Sequence, residues 1–398
     1  VMATTLPTYG FDYSLVRNPD IDTAYNALIT YVIPGSPAAQ AGLERGDWIM
    51  KVDTSYISKK YETYLLQGTK AVKLTLGEWK EVEIEDEEDG NEGGDGEDEG
   101  PMMEYRVVPI DDPVEMPAAQ IVEDNPVHKY EIIESPVKKI RVGYLMYNSF
   151  TAGTKAEPEK YNNELRSVSQ KFKEAGVQAV ILDLRYNEGG SMDCVQLLGT
   201  ILTSADRLGE PMAYLEYNDK NTDKDATILF GTDREINLNL HSLIAITSGT
   251  TMGAPEMLIR SLFLEDTYPI ATVGSSTKGQ NVATEQFINE EFLWSVNPVV
   301  CTVYNSQHDT YGAISPATDL KVSETTIAGS TNYSEFLPFG TFDKDGKSER
   351  LLKIAIGVLD GTYPPKDDET PEESTTQTRF KVEKSVSSPA SRRFSSKA

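Results

Sequence analysis

Hydrophobic positions change their period along this chain, and the changes mark its elements. Near the start Ile29, Tyr31 and Ile33 recur at every second position, as in a half-buried strand. Pro34-Gly35-Ser36-Pro37 then predicts a turn into a helix, with Ser36 as cap and Pro37 at the first helical position. Ala38 to Ala41 reads as that short helix, Gly42 as its stop, and Gly46-Asp47 as a turn into a strand from Trp48 to Val52. Val72 to Leu76 and Met103 to Pro109 read as two further strands, arms of one hairpin. From about Lys138 the pattern shifts: Ile140 to Leu145 and Ile270 to Val273 read as strands, Leu243 to Ile246 as a short buried one, and Val180 to Leu184 as a continuous apolar strand of the kind buried on both faces of a sheet. Between them lie helical spacings. Tyr161 to Ala175 puts Leu165, Val168 and Phe172 on one face with Gly176 just beyond, and Cys194 to Leu202 and Glu349 to Gly361 follow the same rule. VVCTVYNS, residues 299–306, adds a strand. The prediction is a mixed α/β (α+β) chain: a small β-rich domain, then an α/β domain of alternating strands and helices.

The segments between these elements set the expected boundaries. Residues 81–100, EVEIEDEEDGNEGGDGEDEG, are nearly all acidic or Gly, cannot bury a core, and are expected as a disordered insert in a first domain spanning 1–110. Their acids do not follow the D-x-[DN]-x-[DN]-G spacing of a calcium loop, so a solvated hairpin insert is the expected reading. A connector at 111–137 carries Pro113, Pro117, Pro126 and Pro136. The second domain is expected at 138–363, and a polar, disordered tail at 364–398.

Composition then narrows the partners. In 398 residues, 63 acidic side chains face 37 basic ones, a formal net charge of −26, which argues against nucleic acid or anionic lipid as a partner. No apolar run reaches the ~20 residues that span a bilayer. Neither a basic n-region nor an apolar h-region opens the chain at Val1, so any secretory signal is expected to lie outside this sequence. Cys194 and Cys301 are read as buried free thiols sooner than as a disulfide. With no C-x-x-C or H-E-x-x-H, and with His128, His241 and His308 far apart, no metal or other cofactor is expected.

The chemistry is expected at HSLIAITSGTTMGAPEMLIRSLF, residues 241–263. A buried strand there turns through Thr247 to Thr251 into a helix carrying Glu256, Met257, Leu258, Ile259, Leu262 and Phe263. Backbone amides at a helix N-terminus hold negative charge, and acyl-transfer enzymes place nucleophiles at such turns. The turn offers Thr250, Thr251, Met252 and Gly253. Near the start of the chain TYGFDY, Thr8 to Tyr13, combines a turn glycine with an edge-strand pattern. Gly10 would let amides converge on a peptide carboxylate, and the strand would pair with an extended peptide.

Taken in order, the LITYVIPGSPAAQAGLERGDWIMKVD segment, DLRYNEGG, the strand-turn-helix with A-P-E, GSSTKG and the closing Leu-Leu-Lys helix resemble the C-terminal processing, or tail-specific, serine proteases. The resemblance spans residues 8 to 363. It is closest to the secreted or lipoprotein forms of Gram-negative gut-type bacteria, on the phrases YGF, GYLMYNSF and ILDLRYN. It implies a PDZ-like β domain plus a ClpP/crotonase-like α/β protease domain. It also implies peptide or protein C-terminus partners, with Tyr9, Gly10, Phe11, Asp12 and Tyr13 as the peptide-binding loop and edge strand. The implied location is periplasmic or at the cell surface.

The family's Ser-Lys dyad does not carry over. Its serine pattern S-A-S-E becomes Gly253-Ala254-Pro255-Glu256, so the nucleophile position is Gly253. Its T-x-G-K becomes Thr277-Lys278-Gly279-Gln280, so the base position is Gln280, an amide that is no base near neutral pH. In the oxyanion loop, where the family has three glycines after asparagine, Asn187 is followed by Glu188, Gly189 and Gly190; with Ala254 these last two occupy the family's oxyanion positions. The expectation is an inactive homologue that binds extended peptides. The alternative is a working serine- or threonine-type endopeptidase in which Lys278 acts with a displaced hydroxyl, Thr250 or Thr251, since on a strand Lys278 and Gln280 would share a face. A single engineered change is disfavoured because serine and lysine are both missing and Glu188 and Pro255 are added.

Overall fold

The computed structural model describes residues 6–84, 102–289, 291–292, 294–322, 336–343, 347–364 and 382–386. The N-terminal part is β-rich. It runs β1 (Phe11–Arg17), β2 (Tyr25–Val32), helix α1 (Pro37–Gln40), β3 (Trp48–Val52), β4 (Ser55–Tyr56), α2 (Glu62–Leu66), β5 (Val72–Ile84), β6 (Met102–Pro109) and β7 (Val114–Met116). Ser36 caps α1 as its sequence predicts, its Oγ accepting from the Ala39 amide at 3.2 Å. β5 runs eight residues past Leu76, and with β6 makes the long hairpin arm from which the acidic insert leaves. Residues 85–100 of that insert lie outside the described residues.

The remaining elements build the α/β part: β8 (Val127–Glu134), β9 (Arg141–Tyr147), α3 (Lys160–Glu174), β10 (Ala179–Asp183), α4 (Met192–Leu202), β11 (Pro211–Tyr217), β12 (Ala226–Leu229), β13 (Leu243–Thr247), α5 (Ala254–Leu262), β14 (Ile270–Gly274), β15 (Val282–Thr284), β16 (Phe287–Asn289), β17 (Trp294–Val296), β18 (Val299–Tyr304), α6 (Arg350–Asp360) and β19 (Val382–Val386). The central sheet has the order β14-β13-β10-β9-β8, with β9, β10, β13 and β14 parallel and β8 antiparallel at the edge. Its apolar runs alternate between two faces. Leu145, Val180, Leu182, Leu243 and Ala245 pack with α3, α4 and α5. Tyr144, Ile181, Ile244, Ile246 and Val273 pack with α6. A second, antiparallel sheet of order β12-β11-β18-β15 and a small β16–β17 hairpin complete this part.

Two segments differ from the sequence reading. The stretch expected as a connector contains β7, which pairs with β5, and β8, which closes the central sheet. Its prolines flank these strands and do not interrupt them. The stretch expected as a disordered tail contains β19, which pairs antiparallel with β1. An unpaired edge at β1 is a ready template for any extended segment, and that long-range opportunity is invisible in the local pattern. The rest of 365–398 lies outside the described residues.

The two parts meet along the α6 face. Tyr31 of β2 and Ile33 just after it join the same apolar cluster as Leu351 and Leu352 of α6. The Tyr31 hydroxyl lies 2.9 Å from Nδ1 of His128, and Asn148 donates to it at 3.0 Å. Burial pushes the His128 imidazole down to about 3, so it is neutral here. A histidine depressed in the folded state takes up its proton on unfolding; its contribution is intact above the unfolded value near 6.5 and is lost as pH falls below it. The urea midpoint is therefore expected to drop between pH 7 and pH 5, and to drop less in His128→Gln.

Candidate active site

β13 delivers the turn at 248–253 to the C-terminal edge of the parallel sheet, and α5 leaves from it. Gly253 is the N-cap, with φ +70° and ψ −111°, a conformation that side chains rarely adopt. Pro255 sits in the first turn, where its missing amide would lack an intrahelical acceptor in any case, so it does not weaken the helix. A Cβ built on Gly253 meets nothing closer than Cδ of Gln280, at 3.9 Å. The two positions that the resemblance sets at nucleophile and base, Gly253 and Gln280, therefore face one another across open space.

Glu256 holds this arrangement together, a role the sequence reading did not give it. Its carboxylate is fully buried. Oε2 accepts from the amides of Gly253 at 2.9 Å and Gln280 at 2.8 Å, and Oε1 from the Gly279 amide at 2.6 Å and from the Thr277 hydroxyl. One carboxylate thus ties the helix turn to the STKGQN loop through four donors. The signal in the sequence was its place three residues after the cap, where a glutamate reaches back to the N-cap amide.

The residues of the displaced-dyad alternative are not brought together. Residues 275–281 are not a strand, and Gly279 has φ +84°, so alternation fails there. Gln280 lines the cleft, whereas the Lys278 side chain is exposed and only its amide engages the turn, donating to the Thr251 carbonyl at 3.0 Å. The expectation that Lys278 and Gln280 share a face is corrected on that ground. Both threonine hydroxyls serve the backbone: Thr250 Oγ1 donates to the Arg185 carbonyl at 2.8 Å, and the buried Thr251 Oγ1 donates to Leu184 at 2.9 Å and accepts from the Ser248 amide.

The loop after β10 closes the other side. Asn187 donates to the Tyr147 carbonyl at 2.8 Å and accepts from the Gly189 amide at 3.0 Å. Gly189 and Gly190 have φ +118° and +134°, and a Cβ on Gly190 would lie 2.2 Å from the Phe150 carbonyl oxygen, so only glycine fits. A Cβ on Gly189 would lie 3.9 Å from the Ala254 amide nitrogen, which places the loop against the first turn of α5. Glu188 is half-buried; burial pushes its carboxyl above the usual range and the Lys278 charge pulls it back. Glu188, Gly189 and Gly190 line a cleft of about 800 Å³ together with Gly253, Gln280 and the side chains of Leu215, Met257 and Tyr311.

In the N-terminal part, Tyr9, Phe11 and Tyr13 are buried in one apolar cluster with stacked or tilted rings, so their side chains are core and only their backbone is placed for recognition. Asp12 is also buried. Gly10 has φ +83°, its amide donates to Thr8 Oγ1 at 3.1 Å, and a Cβ there would lie 2.3 Å from Cβ of Ser36. Both Cys194 and Cys301 are free and buried. Among the described residues no helix is long and apolar enough to cross a membrane, and no cluster of His, Cys, Asp or Glu could hold a metal ion.

Comparison with known proteins agrees with this architecture. Residues 141–296 match the profile of peptidase family S41, and residues 28–75 that of the PDZ domain. A solved structure from Bacteroides fragilis assigned to the S41 proteases is similar at 39% identity and TM-score 0.75, over 90% of this chain and 84% of that one. The photosystem II D1 C-terminal processing protease is similar at 17% identity and TM-score 0.43, over 88% of this chain and 79% of its own. A lipoprotein from Streptococcus agalactiae is similar at 17% and 0.34, over 49% and 65%; these two likenesses carry no argument. No curated protein matches the chain. With a PDZ domain ahead of an α/β domain built around the Gly253 turn, the chain belongs to peptidase family S41.

Proposed function

We propose that this S41 protein is a catalytically inactive member that binds extended peptides or protein C-termini through its PDZ edge and its protease-like cleft. One observation carries the reading: Gly253 and Gln280 face each other at the site while every surrounding support, from Glu256 to Gly190, is kept. A cleft without a nucleophile still offers apolar side chains such as Leu215 and Met257, and loop backbone, to an extended chain. The active alternative is weaker, because Lys278 is exposed and the Thr250 and Thr251 hydroxyls are committed to carbonyls.

The test uses the full chain. Incubated with an unfolded protein substrate and scored by mass spectrometry, it is expected to leave the substrate intact; cleavage that disappears in Lys278→Ala would overturn the inactive reading. Fluorescent peptides with free and with amidated C-termini are expected to bind, and no binding of either would remove the peptide-binding half. The same reading places the protein in the periplasm or at the cell surface, which fractionation of the source cells would check.

A further inference from the structure

The eight-stranded sheet has the order β19-β1-β2-β3-β5-β6, so its last strand comes from the C-terminal end of the chain. Without β19, β1 would be an open edge with a row of unsatisfied N–H and C=O groups. β19 covers that edge antiparallel, pairing Val386 with Tyr13, Ser385 with Ser14, Lys384 with Leu15 and Val382 with Val16, with one irregularity between Leu15 and Val16. β1 directly follows the Tyr9-Gly10 turn and is the strand assigned above to extended peptides. An extended segment pairing by main chain with a sheet edge is what strand addition by a peptide would look like, and main-chain pairing asks little of the side chains that supply it.

We propose that β19 is a tethered pseudo-ligand: it occupies the β1 edge in the resting protein, and an external extended peptide binds there only by displacing it. The inference rests on the peptide-binding reading of β1. Residues 362–381, twenty in number, join α6 and its Gly361 stop to β19. A short tether of this kind holds a segment at an effective concentration on the order of millimolar. A tail whose own affinity is about 100 μM would then weaken an external peptide about tenfold, by leaving the edge open only that fraction of the time. The segment is suited to being exchanged. It is five residues long, VEKSV, and is registered on β1 by backbone pairing.

The full-length variant Val382→Pro/Lys384→Pro tests this without touching the PDZ sequence, because proline cannot donate to a ladder. Hydrogen exchange read by mass spectrometry is expected to speed up at least tenfold at β1 in the variant, with β3 and β10 unchanged. The decapeptide RFKVEKSVSS, residues 379–388, labelled for anisotropy, is expected to bind the variant about tenfold more tightly than the native chain. Unchanged exchange at β1, with equal peptide binding by both forms, would overturn the pseudo-ligand and leave the peptide-binding reading standing. Faster exchange with no peptide bound by either form would overturn both. Protection of β1 that appears only with concentration-dependent dimers would place the tail on a second copy and overturn the tethered form.

Discussion

Gly253→Ser together with Gln280→Lys is expected to turn this protein into an endopeptidase, while each single substitution stays inert. The Cβ position of residue 253 points at residue 280 with only 3.9 Å to its Cδ and nothing nearer, so a serine there would have both room and a partner. The backbone at Gly253 already holds φ +70° and ψ −111°, a conformation that would cost a serine roughly 1–3 kcal/mol and that the surrounding bonds over-determine. Those bonds are the ones from Glu256 to Gly253, Gly279 and Gln280, none of which involves the substituted side chains. A lysine at 280 would enter a cleft lined in part by Leu215, Met257 and Tyr311, and partial desolvation there makes its proton more easily lost. Serine alone lacks the base, and lysine alone lacks the hydroxyl. A positioned base contributes roughly 10²–10⁴-fold, which sets the expected gain of the double variant over either single one. Glu188→Gly added to the pair should raise the rate further, since it removes a carboxyl beside the loop where an oxyanion would form. Labelling by a serine-directed fluorophosphonate and cleavage of unfolded casein would read the result. A double variant that neither labels nor cleaves would show that more than the dyad has been lost.

Much of this site could be read from the residues in order, and the parts that could not have physical reasons. The apolar runs at Val180 to Leu184 and Leu243 to Ile246 locate the central strands because burial on both faces leaves no other pattern. Gly253 and Gln280 were singled out by the resemblance of the A-P-E and T-K-G stretches to the family's serine and lysine patterns, and only the fold shows that they face each other. The face of Lys278 did not follow, because one positive φ at Gly279 reverses the alternation on which the reading depended. β19 was missed for a different reason. Five residues with two valines carry no strand signal of their own, and their order comes from an edge some 370 positions earlier in the chain. Glu256 stands three residues after its helix cap, which signals the bond to the Gly253 amide but not the bonds to the Thr277–Gln280 loop, and the burial of Glu349 depends on guanidiniums that only the folded chain assembles.

Glu349→Ala is expected to be among the most destabilising single changes in the protein. Its carboxylate is fully buried and lies in a cluster that joins four segments distant in sequence. Arg185 donates to Glu349 at 3.0 and 3.3 Å and to Asp183 at 2.7–3.0 Å, the Tyr144 hydroxyl donates to Asp183 at 2.8 Å, and Arg45 of the PDZ domain lies 3.7 Å from Glu349. Two acids and two guanidiniums balance, and Glu349 also caps α6 through the Leu352 amide at 2.9 Å. Removing one member of such a buried set leaves a charge unpaired and costs about 3–5 kcal/mol, with the lost cap adding about 1 kcal/mol. Burial pushes the Glu349 carboxyl up, but the Arg185 and Arg45 guanidiniums outweigh it and hold the group below the usual carboxylate range. The contribution is therefore present above the unfolded value near 4.3 and fades as pH falls beneath it, so the deficit of the variant should narrow in acid. The consequence reaches the site. The carbonyl of Arg185 accepts from the hydroxyls of Ser248 and Thr250, so a loosened Arg185 loosens the turn that presents Gly253, while Arg45 loses its ionic hold on the protease-like domain. Urea unfolding at pH 7 against pH 4 would measure both effects, and a Glu349→Ala variant within 1 kcal/mol of the native protein at pH 7 would refute the role given to the cluster.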